Sequence, residues 1–188
     1  MTRYLVLLRG INVGGKNSVP MARLRGLLEE FGYAEISTYI ASGNALLSSD
    51  RPAAEIKQRI EEALPRTFAL HSELVAVLVL THAQLRAIVD HRPEGFGDHP
   101  ETYHSDAIFL MGIDAAEAMP VFDPRPGVDW VWPGDGVIYS QRLSAERTKS
   151  RLNKVMSSPL YRSMTIRDWA TTATLLRLIE DRANTARN

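Results

Sequence analysis

The 188-residue sequence has no cysteine and no long apolar run. Without cysteine, the chain forms no disulfide, offers no thiolate nucleophile and cannot hold zinc or an iron–sulfur cluster through sulfur. No apolar stretch approaches the roughly 18 residues that a membrane-spanning helix needs. The first apolar stretch, Tyr4 to Leu8, ends at Arg9 and is too short for the core of a signal peptide. We therefore expect a soluble, cytoplasmic protein without a membrane partner.

Acidic and basic residues are equal in number, but they are segregated along the chain. The segment 73–135 holds eleven acidic residues against three basic ones, and the segment 142–167 holds seven basic residues against one acidic one. A helix at 146–156 is expected, with Arg147, Arg151 and Lys154 on one face. Such a face could follow a phosphate backbone, and a basic helix face without any ligand explains the same pattern.

Hydrophobic periodicity predicts a β-α-β-β-α-β order for the first half of the chain. The expected elements are a strand at 4–9, a helix at 20–31, a hairpin with strands at 36–41 and 45–48, a helix from Pro52 and a strand from Leu74 to Leu80. This order is typical of a ferredoxin-like fold, in which two helices cover one face of a four-stranded antiparallel sheet.

The same order is expected to recur in the second half. The expected elements are strands at 107–111, 128–132, 137–140 and 164–167, helices at 115–119 and 146–156, and a last helix capped by Asp168. The fold class is therefore α+β, with two tandem ferredoxin-like (βαββαβ) subdomains built on antiparallel sheets. We expect the first subdomain at 1–81, a linking helix and loop at 82–104, and the second subdomain with its C-terminal helix at 105–188.

The segment RGINVGGKNSVPM contains the spacing G-x-x-x-x-G-K, which opens a nucleotide-binding P-loop. A P-loop needs Ser or Thr after the lysine to ligate Mg²⁺, and here the next residue is Asn17. It also needs the helix to begin within the motif, whereas Val19 precedes Pro20 and is held out of the α region. A P-loop is therefore excluded.

Two interpretations of this loop remain open. In the first, the backbone N–H groups of Gly14 and Gly15, the cations Arg9 and Lys16 and the amides of Asn12 and Asn17 bind an anion. In the second, the glycines only allow a tight turn and the asparagines satisfy loop carbonyls.

Two further candidate sites are weaker. The turn Ser42-Gly43-Asn44 offers a hydroxyl and an amide, but no base near Ser42 in sequence would make it a nucleophile. His91, His99 and His104 lie in a proline- and glycine-rich loop without the spacing of metal ligands. We expect this loop to be a solvated acidic segment, and we expect neither a metal nor a cofactor.

The segments LLRGINVGGKN, TYIASGNALLSS, PEGFGD, DAIFL, VWPGDGVIY and TIRDWAT together resemble the bacterial family Domain of Unknown Function 1697. The resemblance runs in order along essentially the whole chain. It implies an α+β fold similar to two tandem ferredoxin-like subdomains, and it implies no established activity. The signature positions that it implies are Arg9, Gly10, Asn12, Gly14, Gly15, Lys16, Asn17, Ser42, Gly43, Asn44, Arg167, Trp169 and Thr171.

The chain departs from this family at its C-terminal motif. The motif is usually RNWNT and here reads RDWAT, from Arg167 to Thr171, so two amides are lost. If those amides contact a ligand in the family, this member binds it differently. If Asp168 only caps the helix, the exchange of Asn for Asp is nearly neutral.

The favoured function is binding of a phosphate-bearing ligand, either nucleotide or nucleic acid, through the loop from Arg9 to Asn17. Ser42, Asn44 and Arg167 complete the set of expected ligand-binding residues. One alternative is an enzyme that acts on a small anionic metabolite in a cleft between the subdomains. Another is a protein-interaction module in which the loop is purely structural. The sequence does not indicate an oligomeric state.

Overall fold

The computed structural model describes residues 1–71 and 75–185. The chain forms two compact units, one made of Met1–Leu85 with Leu175–Asn188 and the other of Arg86–Thr174. Residues from Leu175 onward, which the sequence assigns to the second half, therefore belong to the first unit.

The first unit contains one four-stranded sheet and the helices that connect its strands. In chain order its elements are β1 (Thr2–Arg9), α1 (Met21–Glu30), β2 (Ala34–Tyr39), β3 (Asn44–Ser49), α2 (Ala53–Thr67) and β4 (Ala76–Thr81). The strands pair antiparallel in the order β2-β3-β1-β4. The types and order of these elements confirm the expected β-α-β-β-α-β order of the first half. Leu74, where the last of these strands is expected to begin, lies outside the described residues.

Alternation along β1 divides its side chains between the two faces of the sheet. Tyr4, Val6 and Leu8 pack into the core beneath α1 and α2. Each helix contributes residues spaced by three or four positions, which is the spacing that keeps apolar side chains on one face. These buried residues are Leu24, Leu27 and Leu28 in α1 and Ile56, Ile60 and Leu64 in α2. Both helices therefore have the apolar face that the hydrophobic periodicity of the sequence predicts.

The second unit is built on another four-stranded antiparallel sheet. Its strands are β5 (Tyr103–Leu110), β6 (Asp129–Gly134), β7 (Val137–Leu143) and β8 (Met164–Asp168), and the helices of this part of the chain are α3 (His82–Asp90), α4 (Ala115–Ala118) and α5 (Trp169–Thr185). The strand order is β6-β7-β5-β8. The protein is therefore an α+β protein with two four-stranded antiparallel sheets and several helices, as predicted at that level.

The predicted helix at 146–156 is wrong. The segment forms two separate 3₁₀ helices, Ser144–Lys149 and Leu152–Ser157. The N–H of Arg151, in the break between them, donates to the buried carboxylate of Asp129 with an N···Oδ2 distance of 2.8 Å. An amide that is held by a side chain is not available for a helical hydrogen bond. The break is therefore fixed by a contact distant in sequence.

The interior of the second unit follows the expected pattern with one exception. Apolar side chains from three strands meet those of the second of these 3₁₀ helices in one core, which includes Ile108, Leu110, Ile138, Leu152, Val155 and Met164. On the expected α-helix at 146–156, Met156 would lie four residues after Leu152 and face the core with it, but its side chain is 55% exposed. The tighter 3₁₀ winding changes the face on which the residue lies.

No helix in the described part of the chain is both long enough and apolar enough to cross a membrane. The cytoplasmic location stays a prediction.

Candidate functional site

The loop between β1 and α1 doubles back on itself as a small hairpin. Two backbone hydrogen bonds of 3.0 Å close it, from Asn12 N–H to Asn17 O and from Lys16 N–H to Val13 O. Gly14 and Gly15 occupy the centre of the turn with φ angles of 58° and 72°. Two consecutive positive φ angles are typical of a type I′ hairpin turn, which glycine adopts without a steric penalty. Because α1 begins only at Met21, the G-x-x-x-x-G-K spacing marks this turn and not a P-loop.

The side chain of Asn12 is fully engaged with backbone groups. Its Nδ2 donates to Val19 O at 3.0 Å and to Ala41 O at 2.7 Å, and its Oδ1 accepts the Val19 N–H at 2.8 Å. Asn12 itself has a positive φ of 54°, which asparagine tolerates better than most residues. Its amide therefore holds the hairpin against its neighbours.

The side chain of Asn17, at the other end of the hairpin, also bonds to backbone groups. Its side chain is 6% exposed, its Nδ2 donates to Gly10 O at 2.8 Å and its Oδ1 accepts the His71 N–H at 2.8 Å. Of the two interpretations that the sequence leaves open, the one in which Asn12 and Asn17 satisfy the backbone describes the contacts of both amides. Both side chains therefore have structural contacts in this loop.

The turn between β2 and β3 packs directly against this hairpin. Asn44 is fully buried, and its Nδ2 donates to Tyr39 O at 3.0 Å and to Ser42 Oγ at 2.9 Å. A Cβ atom added to Gly43 would lie 2.8 Å from Cδ1 of Ile11, closer than real Cβ contacts allow. The turn therefore needs glycine because the first loop lies against it.

Residues 10–17 and 40–44, called the paired loops below, thus form one braced structure. Lys16, Gly14 and Gly15 are exposed at the tip of the hairpin. In the part of the chain that the structure describes, the N–H groups of Gly14 and Gly15 donate no hydrogen bond. The tip therefore presents one cation and two free backbone donors, the kinds of group that bind an anion.

The two arginines expected at the site are both buried. Arg9 is 8% exposed at the end of β1, opposite Ala76 of β4. Arg167 is 8% exposed in the second unit, and its Nη1 donates to Thr165 Oγ1 at 3.1 Å and to Ile166 O at 2.9 Å. Burial lowers the pKa of Arg167 to about 10, so it stays protonated at neutral pH. Arg9 adjoins the paired loops, whereas Arg167 belongs to a different compact unit.

The sequence-based interpretation missed an aromatic cluster in the second unit. Phe96 lies in the segment expected to be a solvated acidic loop, yet it is 1% exposed. Its ring meets those of Trp169, Tyr139 and Trp132 edge to face, with centroids 5.1, 5.3 and 6.0 Å apart. A Cβ atom added to Gly97 would lie 2.1 Å from Cδ1 of Trp169. The run Gly95-Phe96-Gly97 is the sequence feature that could have indicated this cluster. Glycines on both sides of an aromatic residue allow close packing of the backbone.

The last helix begins as the sequence predicts. Asp168 Oδ1 accepts the Thr171 N–H at 2.7 Å, and Asp168 Oδ2 accepts the Thr171 hydroxyl at 3.0 Å. These contacts confirm Asp168 as the cap of α5. The signature residues Trp169 and Thr171 therefore have structural contacts, in the aromatic cluster and in the cap respectively.

Several cations of the basic segment 142–167 are paired with carboxylates. Lys154 Nζ lies 2.8 Å from Asp123 Oδ2, and Arg151 Nη1 lies 3.4 Å from Asp123 Oδ1. The hydrogen bond from Lys154 lowers the pKa of Asp123, and Arg151 adds to this effect. Lys149 pairs with Glu146 at 2.6 Å. Arg151 and Lys154, which the sequence places on one basic helix face, are therefore both ion-paired to Asp123.

Two histidines of the second unit each lie beside a carboxylate. His99 Nδ1 lies 3.3 Å from Glu101 Oε1, and His104 Nε2 lies 3.1 Å from Asp106 Oδ1. Within residues 1–71 and 75–185, no three or more His, Asp or Glu side chains are grouped so that they could hold a metal ion.

Comparison with known proteins identifies a family and a solved structure to which the chain is similar. Residues 1–139 match the family model described as protein of unknown function, DUF1697. The solved structure of conserved bacterial protein SP0830 from Streptococcus pneumoniae is similar to the chain, with a TM-score of 0.76 and 26% sequence identity, over 95% of this chain and 98% of that one. The two proteins share a fold. Among curated proteins no match was found.

Proposed function

The chain belongs to the DUF1697 family of proteins of unknown function, and we propose that it binds a phosphate-bearing ligand, a nucleotide or a nucleic acid, at the tip of its first loop. The family description supplies no activity. The proposal therefore rests on the residues of the paired loops.

One observation carries the proposal: Lys16 is exposed beside the unbonded N–H groups of Gly14 and Gly15 on a hairpin that asparagine side chains brace. Phosphate oxygens accept hydrogen bonds from backbone N–H groups and pair with lysine. A braced loop loses little conformational freedom when a ligand binds, so less of the interaction free energy is lost to ordering. The buried Arg9 adds positive charge beside the loop.

The proposal gives the amides a role other than the expected ligand binding. Asn12, Asn17 and Asn44 contact backbone groups, and Asn44 also contacts Ser42. In this proposal they position the hairpin and do not bind the ligand. The paired loops contain neither a carboxylate nor an imidazole that could act as a general base, so the proposal is for binding and not for catalysis. The enzyme and interaction-module alternatives stay predictions.

We also propose that the two units are tandem ferredoxin-like subdomains. The strand orders β2-β3-β1-β4 and β6-β7-β5-β8 are equivalent, which supports this assignment. In the first unit, α1 connects β1 to β2 and α2 connects β3 to β4, as the motif requires. In the other unit, 3₁₀ helices take the place of the second of these helices, between β7 and β8.

Fluorescence anisotropy at low ionic strength tests the binding site. The probes are a labelled single-stranded oligonucleotide and a labelled ATP, and the variants are Lys16→Ala and Lys57→Ala. Lys57 is the matched control, because it is 47% exposed on α2 of the same unit. We expect Lys16→Ala to weaken binding by about five- to tenfold and Lys57→Ala to leave it unchanged.

The two probes separate the two sources of phosphate. An oligonucleotide that contacts several phosphates loses affinity steeply as salt rises, whereas a single nucleotide loses it gently. Absence of salt-sensitive binding with both probes contradicts the proposal. Equal weakening by the two lysine variants also contradicts it, since that result indicates nonspecific attraction.

A further inference from the structure

The second unit contains an open pocket of about 480 Å³ at one end of its two central strands, β5 and β7. Pockets that bind small molecules commonly measure about 300–1,000 Å³. All but one of the residues that line it are polar, and the set is His104, Arg142, Ser144, Ala145, Arg147 and Thr148. None of these residues belongs to the paired loops. The pocket is therefore a separate candidate site with room for a metabolite.

A carboxylate at the edge of the pocket holds two of the lining residues. His104 on β5 and Arg142 on β7 are directly opposite each other. Asp106 is two residues along β5 and so faces the same side of the sheet. Its Oδ1 lies 3.1 Å from His104 Nε2 and its Oδ2 lies 3.9 Å from Arg142 Nη1. Asp106 therefore positions the imidazole and the guanidinium.

The pocket has an excess of positive charge. Its lining includes two guanidinium groups and no carboxylate. In the described part of the chain, the exposed Arg147 forms no ion pair. The carboxylate of the neighbouring Glu146 pairs with Lys149 instead, with an N···O distance of 2.6 Å. An anionic ligand would therefore supply the Arg147 guanidinium with an acceptor that this part of the protein does not provide.

We propose that this pocket binds a small metabolite through a phosphate monoester group. Two guanidinium groups, from Arg142 and Arg147, can pair with phosphate oxygens, and the hydroxyls of Ser144 and Thr148 add two further donors. A phosphate monoester presents three terminal oxygens to such a set, whereas a carboxylate presents two. The pocket is larger than a phosphate group requires, and the remaining volume accommodates the organic part of the ligand.

Isothermal titration calorimetry tests the pocket with inorganic phosphate and glucose 6-phosphate as probes and glucose as the uncharged comparison. The variants are Arg147→Ala, Arg142→Gln, Arg162→Ala and Lys16→Ala. Arg162 is the matched control, because it is an exposed arginine of the same unit and does not line the pocket. Lys16 separates this site from the paired loops. Far-UV circular dichroism checks that Arg142→Gln remains folded, and the exposed Arg147 gives a variant whose fold does not depend on its guanidinium.

We expect the wild-type protein to bind both phosphate probes and not glucose. Loss of the Arg147 guanidinium should weaken binding by about tenfold or more, while the Arg162 and Lys16 variants stay within about twofold of the wild type. Three results overturn the proposal: no heat of binding with either phosphate probe, equal affinity in wild type and Arg147→Ala, or loss of binding in Lys16→Ala. The last result would indicate that phosphate binds at the paired loops, so the two proposals can be contradicted independently.

Discussion

Asn12 Nδ2 donates to the carbonyl oxygen of Ala41 at 2.7 Å, and this hydrogen bond ties the glycine-rich hairpin to the turn between β2 and β3. The two segments are 29 residues apart in sequence and behave as one structure. Gly43 allows the two segments to pack closely, because a side chain at this position would clash with Ile11. The conformation of the first loop therefore depends on the second, and a ligand at the hairpin tip would meet a preformed surface.

Asn17→Ala should destabilise the protein by about 3–4 kcal/mol. It leaves the Gly10 carbonyl and the His71 N–H without their side-chain partner, which costs about 2–3 kcal/mol for a buried pair, and it places alanine at a φ of 51°, which adds about 1 kcal/mol. Urea unfolding measures the change. Ser18→Ala is the control, because Ser18 is an exposed neighbour, and it should stay within about 0.5 kcal/mol of the wild type. Similar values for both variants would show that the Asn17 amide does not brace the loop.

Gly95 and Gly97 form a matched pair around Phe96. Both have positive φ angles, 74° and 77°, so alanine at either position carries a similar backbone strain of about 1 kcal/mol. A Cβ atom at Gly95 meets nothing within 4 Å, whereas one at Gly97 lies 2.1 Å from the Trp169 indole. Gly97→Ala should therefore cost at least about 2 kcal/mol more than Gly95→Ala in denaturant unfolding.

The near-ultraviolet circular dichroism of the aromatic cluster gives a second measurement. Gly97→Ala should weaken this signal because Trp169 must move, and Gly95→Ala should preserve it. If both variants keep the wild-type spectrum and the same stability, Trp169 does not lie against Gly97.

The sequence allowed prediction of those elements whose causes are local. The apolar spacing of Leu24 and Leu28 specifies a helix, and the Val19-Pro20 pair shows where that helix cannot begin. Asp168 could be identified as a cap because capping acts within one turn. The same local reasoning excluded a P-loop.

Features that depend on distant contacts could not be predicted in this way. The break in the expected helix at 146–156 is held by Asp129, which is 22 residues from Arg151 in sequence. Phe96 lies in a segment whose composition is polar, and its burial depends on side chains from β6, β7 and α5. At the candidate site, the side chains of Asn12 and Asn17 could have bound a ligand, but they contact backbone groups. These contacts depend on the folded conformation of the loop and cannot be inferred from the sequence.

Asp129→Ala should destabilise the second unit by about 3 kcal/mol. Asp129 is 4% exposed, and its Oδ2 accepts the N–H groups of Arg125 at 3.0 Å and Arg151 at 2.8 Å. Removal of the carboxylate leaves two backbone donors without a partner. Asp129→Asn keeps one side-chain oxygen for these donors and should lose less than half as much. Equal losses in urea unfolding would mean that the charge, and not the acceptor geometry, stabilises this break.

Tyr139→Phe should change how stability responds to alkaline pH. The buried hydroxyl donates to Ile88 O at 2.6 Å, and burial raises the pKa of Tyr139 to about 12. In the unfolded chain the phenol titrates near pH 10, so the folded state holds its proton more tightly. The stabilisation from this group is complete below about pH 10 and is lost as pH rises from there toward 12, because the unfolded chain loses its proton first.

Urea unfolding at about pH 8 and about pH 11 isolates this effect, since the other five tyrosines are the same in both proteins. At about pH 8 the variant should be less stable by about 1–2 kcal/mol, because the Ile88 carbonyl loses its donor. At about pH 11 the difference should shrink, since only the wild type has a phenol at this position whose deprotonation favours the unfolded chain. A difference that is constant across this range would mean that the Tyr139 hydroxyl titrates equally in the folded and unfolded states, and so is not buried against Ile88.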